Sequence, residues 1–247
     1  MFSEIVNDTI VCENGSEHRT AALENILISD YSRRARDPES HLSGVTSPSY
    51  RIVKCGLDRV CAIALFAAFA LPGLIIATTI ALDSKGPIFY REWRIGRGGR
   101  PFKIWKFRSM QTTHLGIQQA QPDEDLLKRR VEKDLKDSRI TVVGGFLRRW
   151  SLDELPQLLN VICGDMSLIG PRPVIDEEMA LYGEFQHYYF AAKPGMSGLW
   201  QVSGRNNVDF ETRIRLDASY VQDWSLCNDF RILIRTIPVV LRRTGAR

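Results

Sequence analysis

The chain has 247 residues, 44% of them apolar and 25% charged, with a net charge of +4. That length and apolar content exclude a wholly disordered chain and allow one sizeable core with appendages. Five scattered cysteines, odd in number and without C-x-x-C or Cys/His spacing, argue against a zinc site or disulfide framework and fit a reducing compartment.

The charge is unevenly placed. Residues 1–50 hold four arginines, no lysine and eight acids, a balance of −4, while the remainder holds 29 basic and 21 acidic residues, a balance of +8. A basic body suits phosphate-rich partners. The start, "MFSEIVNDTI", has neither the basic opening nor the apolar core of a signal peptide. Residues 1–48 are polar and are expected to form a mostly disordered tail, with one short helix at "AALENILI".

Val60 to Leu82 is a run of 23 residues without a charge. About 20 apolar residues suffice to cross a bilayer, and the run is too uniformly apolar for an amphipathic core helix. Pro72 sits at its midpoint, followed by Gly73. Arg51, Lys54 and Arg59 precede it, and Lys85, Arg91, Arg94, Arg97, Arg100 and Lys103 follow. Basic flanks favour the cytoplasmic side, and here both flanks are basic. The pattern predicts a re-entrant membrane helix over residues 49–82 that breaks at Pro72 and returns to the face it entered, in contact with membrane lipid.

Residues 83–247 read as an α+β body, mostly helical with a small β-hairpin. "PIFYREWRI" and "RPFKIWKFRSM" are aromatic and β-branched runs joined by "GRGG", a hairpin pattern. "PDEDLLKRRVEKDLKD" has Leu127, Val131 and Leu135 at helical spacing. Helices are expected after Ser151 and over "VIDEEMALYGEFQHYYF". "DFRILIRTIPVVLRR" is either a core helix or an amphipathic segment on a membrane surface.

The body repeats one theme, glycine or proline turns beside isolated arginines. They are "FRSM" (Arg108), "GGFLRRWS" (Arg148, Arg149), "GDMSLIGPRP" (Asp165, Arg172) and "PGMSGLWQVSGRN" (Arg205). Arginine offers a rigid fork to phosphate oxygens, and glycine lets backbone N–H groups approach an anion. In "SLDELPQLLN", Ser151 and Glu154 have the spacing of a helix capping box, and Asp153 adds a second acid that the cap does not require. In a phosphate pocket one carboxylate can hold Mg²⁺ on a diphosphate and the other can attack phosphorus. A helix N-terminus would keep both ionised. Pro156 then falls at the fifth helical position, which a purely structural cap does not favour.

Taken together, "FKIWKFRSM", "LRRWSLDELPQLLNVICGDMSLIGPRP" and "KPGMSGLWQVSGRN" closely resemble the bacterial sugar transferase family, from about Lys54 to the C-terminus. These are monotopic phosphoglycosyl transferases, and "ALYG" and "YVQDWSL" resemble small exopolysaccharide-priming members that transfer galactose-1-phosphate or glucose-1-phosphate. The resemblance implies a catalytic domain on the cytoplasmic face of the bacterial inner membrane. A UDP-sugar would donate sugar-1-phosphate to undecaprenyl phosphate with release of UMP, through a covalent phosphosugar on an aspartate. It implies Asp153 as nucleophile, Glu154 as the acid at Mg²⁺, and Arg172 and Arg205 as phosphate or nucleotide contacts. Arg108 and Arg148 would stabilise charge on the transferred phosphoryl group. Two positions depart from the family pattern: Cys55 stands where an arginine is expected, and Leu71 replaces a serine before Pro72.

Two other readings compete. Asp123-x-Asp125 resembles the metal motif of conventional glycosyltransferases, which would release UDP, although acids are also common in the first turn of a helix. A non-catalytic membrane-surface adaptor fits the charge and the apolar run but leaves the paired acids unexplained. No nucleic-acid-binding motif accompanies the basic charge. Homo-oligomerisation is compatible with the sequence.

Overall fold

The computed structural model describes residues 47–111, 139–204 and 208–242. The expected tail, the expected helix at 122–137, Asp123, Asp125 and Arg205 lie outside those residues.

The uncharged run folds as two helices, α1 (Pro48–Ala68) and α2 (Ala70–Asp83), bent by 60°. Among the described residues no single helix is long and apolar enough to cross a membrane, but this bent pair meets the criterion jointly. The break lies at Phe69 (φ −94, ψ 6) rather than at Pro72, the position expected from sequence. Proline is the cause all the same. It has no N–H for the carbonyl four residues back, that of Ala68, and its ring crowds that carbonyl. The bend therefore falls one turn ahead, and Pro72 sits in the first turn of α2, where a missing donor costs least. Within α2 the hydroxyls of Thr78 and Thr79 donate back to the carbonyls of Leu74 and Ile75 at 2.9 and 2.8 Å, so neither is left unpaired on an apolar helix.

The predicted hairpin forms from β1 (Phe89–Ile95) and β2 (Pro101–Phe107), antiparallel, with Phe89 opposite Phe107 and Ile95 opposite Pro101. Phe102 and Ile104 point inward to the core. After the second described segment begins, α3 (Val142–Arg149) is capped by the Thr141 hydroxyl, which accepts from the Gly144 amide at 2.9 Å. A β-carbon at Gly144 would lie 1.9 Å from the Ser109 carbonyl oxygen, so glycine is what lets α3 press against the end of β2. A 3₁₀ turn (Leu152–Gln157) leads into α4 (Leu158–Cys163), then β3 (Ser167–Ile169). Asn160 on α4 ties down the hairpin: its carbonyl oxygen accepts from the Trp105 amide at 3.0 Å and its amide donates to the Lys103 carbonyl at 2.8 Å.

The single helix expected over 174–190 is interrupted. It forms α5 (Asp176–Met179), a 3₁₀ stretch (Ala180–Phe185) and α6 (Gln186–Ala191). Gly183, at φ 48 and ψ −125, takes a conformation that no helix interior contains. The chain then runs through β4 (Gly195–Ser197), which pairs with β3 in parallel, an element not anticipated from sequence. Three helices follow: α7 (Leu199–Val202), α8 (Phe210–Gln222) and α9 (Leu226–Leu241). Of α9 only Asp229 and Ile232 are buried, while Phe230, Ile234, Ile237 and Leu241 are exposed, Phe230 by 62%. That decides between the two expectations for this segment in favour of an amphipathic helix.

The largest core gathers Ala62 of α1, Ile104, Val161, Met166, Tyr188, Tyr220 and Ile232. One polar network crosses it. Lys54 on α1 is 3% exposed and lies 3.2 Å from Asp58 and 2.8 Å from Asp229 on α9. Ser167 of β3 donates to Asp58 at 2.7 Å, and Tyr220 and Trp224 donate to Asp229 at 2.7 and 3.0 Å. Removing one partner of a buried ion cluster strands the others. Lys54→Met, measured by denaturant unfolding of the solubilised protein, is expected to cost about 3–5 kcal/mol. An unchanged unfolding midpoint would show that the cluster does not hold α1 to α9.

Candidate functional site

Asp153 and Glu154 sit on the 3₁₀ turn between α3 and α4, and the local backbone explains how. Ser151 adopts a left-handed conformation (φ 55, ψ 24), alone among the described non-glycine residues. That reversal costs about 1 kcal/mol and turns the chain sharply after α3. The expected capping box does not form, since the Ser151 side chain makes no capping bond. Pro156 falls inside the 3₁₀ turn, just before regular α-helix starts at Leu158. Its missing N–H is therefore not in the middle of an α-helix. The apolar side of the turn, Leu152 and Leu155, packs on Ile80, Phe107 and Leu147 together with Ile76 and Ala77 of α2. The acids are thus carried on a turn seated against α2.

Asp153 is buried and Glu154 half-buried. The Lys106 ammonium lies 3.4 Å from the Glu154 carboxylate. Burial, and then the charge of Glu154, push the Asp153 carboxyl up to about 6, against the pull of Lys106, Arg148 and a backbone hydrogen bond. The expectation of a depressed value from a helix N-terminus is corrected: a short 3₁₀ turn in a dry setting offers too little dipole to offset desolvation. At neutral pH the carboxylate still predominates. No cluster of three or more His, Cys, Asp or Glu positioned for a metal occurs among the described residues. The pair nevertheless fits Mg²⁺, which takes one or two carboxylates and completes its shell with water and phosphate oxygens. A cation there would relieve the repulsion that raises Asp153.

The arginines separate. Arg148 remains beside Asp153, close enough for its charge to act on it. Arg108 is turned to the backbone. It is 4% exposed, and its guanidinium donates to the carbonyls of Pro87 (2.6 Å), Ile80 (3.2 Å) and Ser84 (2.5 Å) and to the Ser84 hydroxyl (3.1 Å). They belong to the last turn of α2, its C-cap and the link to β1, and a cation is favoured at such a helix end. Arg108 thus clamps this junction. Arg172 lies in the turn after β3, with its guanidinium 5.7 Å from the Trp200 ring centre and 4.0 Å from Glu178. Its backbone amide donates to Asp217 at 3.2 Å.

Sequence reasoning missed Lys106, Arg213 and Asp217. Lys106 has the strand parity of Phe102 and Ile104, so alternation would have placed it on the inner face. Arg213 and Asp217 are four apart on α8 and share its buried side with Tyr220 and Val221, a helical spacing readable from "RIRLDASYV". At Cys55 the thiol accepts from Lys193 at 3.4 Å, so a cation from another element approaches the position where arginine was expected.

A family model described as bacterial sugar transferase matches residues 49–243. The undecaprenyl-phosphate galactose phosphotransferase of Salmonella typhimurium is 46% identical over 202 residues, 80% of this chain and 42% of that protein. The chain therefore spans less than half the length of that relative. The exopolysaccharide production protein ExoY of Sinorhizobium fredii is 41% identical over 208 residues, 83% of this chain and 92% of the relative. A UDP-glucose:undecaprenyl-phosphate glucose-1-phosphate transferase of Caulobacter vibrioides is 41% identical over 198 residues, 77% of this chain and 70% of the relative. Because the family match takes in the bent helix pair, the hairpin and the turn that carries the acids, the chain belongs to the bacterial sugar transferase family.

Proposed function

We propose that the chain transfers a sugar-1-phosphate, galactose or glucose being the sugar, from a UDP-sugar to undecaprenyl phosphate and releases UMP. This would be the first membrane step of exopolysaccharide or glycan assembly, performed on the cytoplasmic face of the bacterial inner membrane. The names of the Salmonella and Caulobacter relatives support the sugar and the carrier. The observation that carries the chemistry is the Asp153–Glu154 pair, flanked by Lys106 and Arg148 on a turn seated against α2.

In this reading an Asp153 oxygen attacks the sugar-proximal phosphorus. An O–P bond forms, the bond to the bridging oxygen breaks, and UMP departs with the electron pair. An oxygen of undecaprenyl phosphate then attacks the same phosphorus and restores the Asp153 carboxylate. Glu154 would hold Mg²⁺, which would supply charge neutralisation on the diphosphate oxygens. Lys106 and Arg148 add fixed positive charge where negative charge accumulates. Arg172 and Arg205 would contact the donor's phosphates. The apolar seat on α2 brings the nucleophile to the level at which a lipid phosphate arrives.

Product analysis tests this. UMP, not UDP, is expected from UDP-galactose or UDP-glucose in the presence of undecaprenyl phosphate and Mg²⁺. Asp153→Asn should reduce turnover about a thousandfold or more. UDP release would indicate sugar transfer instead, and no release from either donor would favour the adaptor reading. Turnover should rise with pH through the Asp153 value of about 6 as the nucleophile ionises.

Stability should run the other way. Asp153 ionises near 3.8 in the unfolded chain and near 6 in the folded one. Its contribution is present below the lower value and lost as pH rises through the upper one. Asp153→Asn is therefore expected to stabilise the protein at pH 8, by up to about 3 kcal/mol, but not at pH 4, in thermal unfolding of the two proteins side by side.

A further inference from the structure

Asp217 is 2% exposed, on the inner side of α8, and the reaction described above makes no use of it. One of its oxygens, Oδ2, accepts from the Arg172 amide and from the Tyr182 hydroxyl, both at 3.2 Å. The other, Oδ1, has no hydrogen-bond partner among the described residues. An orphaned buried carboxylate oxygen is costly, since it has given up water without gaining a donor. Tyr182 remains a reliable donor, because burial and then the charge of Asp217 hold its phenol well above the ordinary value.

The surroundings of Asp217 are cationic. Arg172 and Arg213 have their guanidinium carbons 5.7 and 4.9 Å from the centre of the same Trp200 indole, and the positive charge of both favours the ionised Asp217 carboxylate against its burial. Two guanidiniums sharing one ring repel each other unless a negative charge stands behind them. The turn bearing Arg172 is pinned on either side as well. Gly170 donates to Ser197 at 2.9 Å, Gly195 to the Pro171 carbonyl at 2.8 Å, and Val174 to the Tyr189 hydroxyl at 3.2 Å. Only the Arg172 amide within this turn relies on a side-chain charge.

We propose that Asp217 is a positioning residue for the donor's phosphates, fixing the Gly170–Pro173 turn through the Arg172 amide and balancing the Arg172–Arg213 pair on Trp200 before any anion is bound. The inference rests on the reading that Arg172 meets a phosphate of the donor. Asp217 itself touches neither donor nor lipid. Its charge holds the two guanidiniums in register, so that donor binding does not have to order them. An asparagine would keep an acceptor for the amide but lose that charge.

The test is a KM-against-kcat comparison on the full chain in membranes, with UDP-galactose or UDP-glucose, whichever the wild type turns over faster. Assays at pH 8 keep the Asp217 carboxyl, pushed up to about 7 by burial, ionised. Asp217→Asn is expected to raise the donor KM about tenfold with kcat within about threefold. Arg172→Ala should show the same signature, and the double variant should be no worse than Arg172→Ala alone. Tyr182→Phe, which removes only a hydroxyl, should raise KM by about two- to fivefold and covers the case in which Asp217→Asn does not fold. A normal KM in Asp217→Asn or, if that variant is unfolded, in Tyr182→Phe overturns the inference; with Arg172→Ala impaired, the phosphate reading of Arg172 survives. A normal KM in Arg172→Ala overturns both.

Discussion

One ammonium group, Lys54 Nζ, lies between the carboxylates of Asp58 and Asp229 almost out of contact with water, and much of the structure is arranged around that fact. Buried charge is tolerated only where every partner is in place. Here the partners come from α1 and α9, with further hydrogen bonds from Ser167, Tyr220 and Trp224. Such a cluster adds little net stability compared with apolar packing, but any other arrangement of these elements would leave a charge stranded. The start of α1, the β3–β4 pair and the amphipathic final helix are fixed together at one point.

From that point the site follows in two steps. At the other end of the bent pair, Arg108 takes up carbonyls from the end of α2 and from the link that follows it, and joins them to the end of β2. The turn carrying Asp153 rests its leucines on α2 and is overhung by Lys106 from β2. The position of Asp153 is therefore set by α2 and the hairpin jointly, as the proposed reaction between a nucleotide sugar and a lipid phosphate would require. The same construction explains the raised Asp153 value: the apolar seat on α2 removes water from the carboxylate.

Much of this was legible in the sequence, and the exceptions have physical reasons. The apolar run and its basic flanks indicated the bent pair, and alternation around "GRGG" indicated the hairpin, because both depend on local pattern. The place of the bend differed by three residues, since proline acts on the turn before it. The helix over 174–190 was misread because Gly183 leaves no trace in hydrophobic spacing. The backbone partners of Arg108 were not readable, because a lone arginine beside a turn looks the same whether it faces phosphate or carbonyls 24 residues earlier. The Asp153–Glu154 pair was readable, but its electrostatics were not. Spacing suggested a capped helix whose N-terminus favours the ionised form, while burial on the apolar seat of α2 pushes the Asp153 carboxyl up.

The central claim is that Asp153 becomes covalently bonded to the sugar phosphate. The most direct measurement is the intact mass of the full-length protein after incubation with Mg²⁺ and UDP-galactose or UDP-glucose, with no lipid acceptor present. The account predicts a mass increase of one hexose phosphate on the wild type, absent from Asp153→Asn and discharged when undecaprenyl phosphate is added. Sustained UMP release from Asp153→Asn at the wild-type rate, with no adduct on either protein, would contradict it.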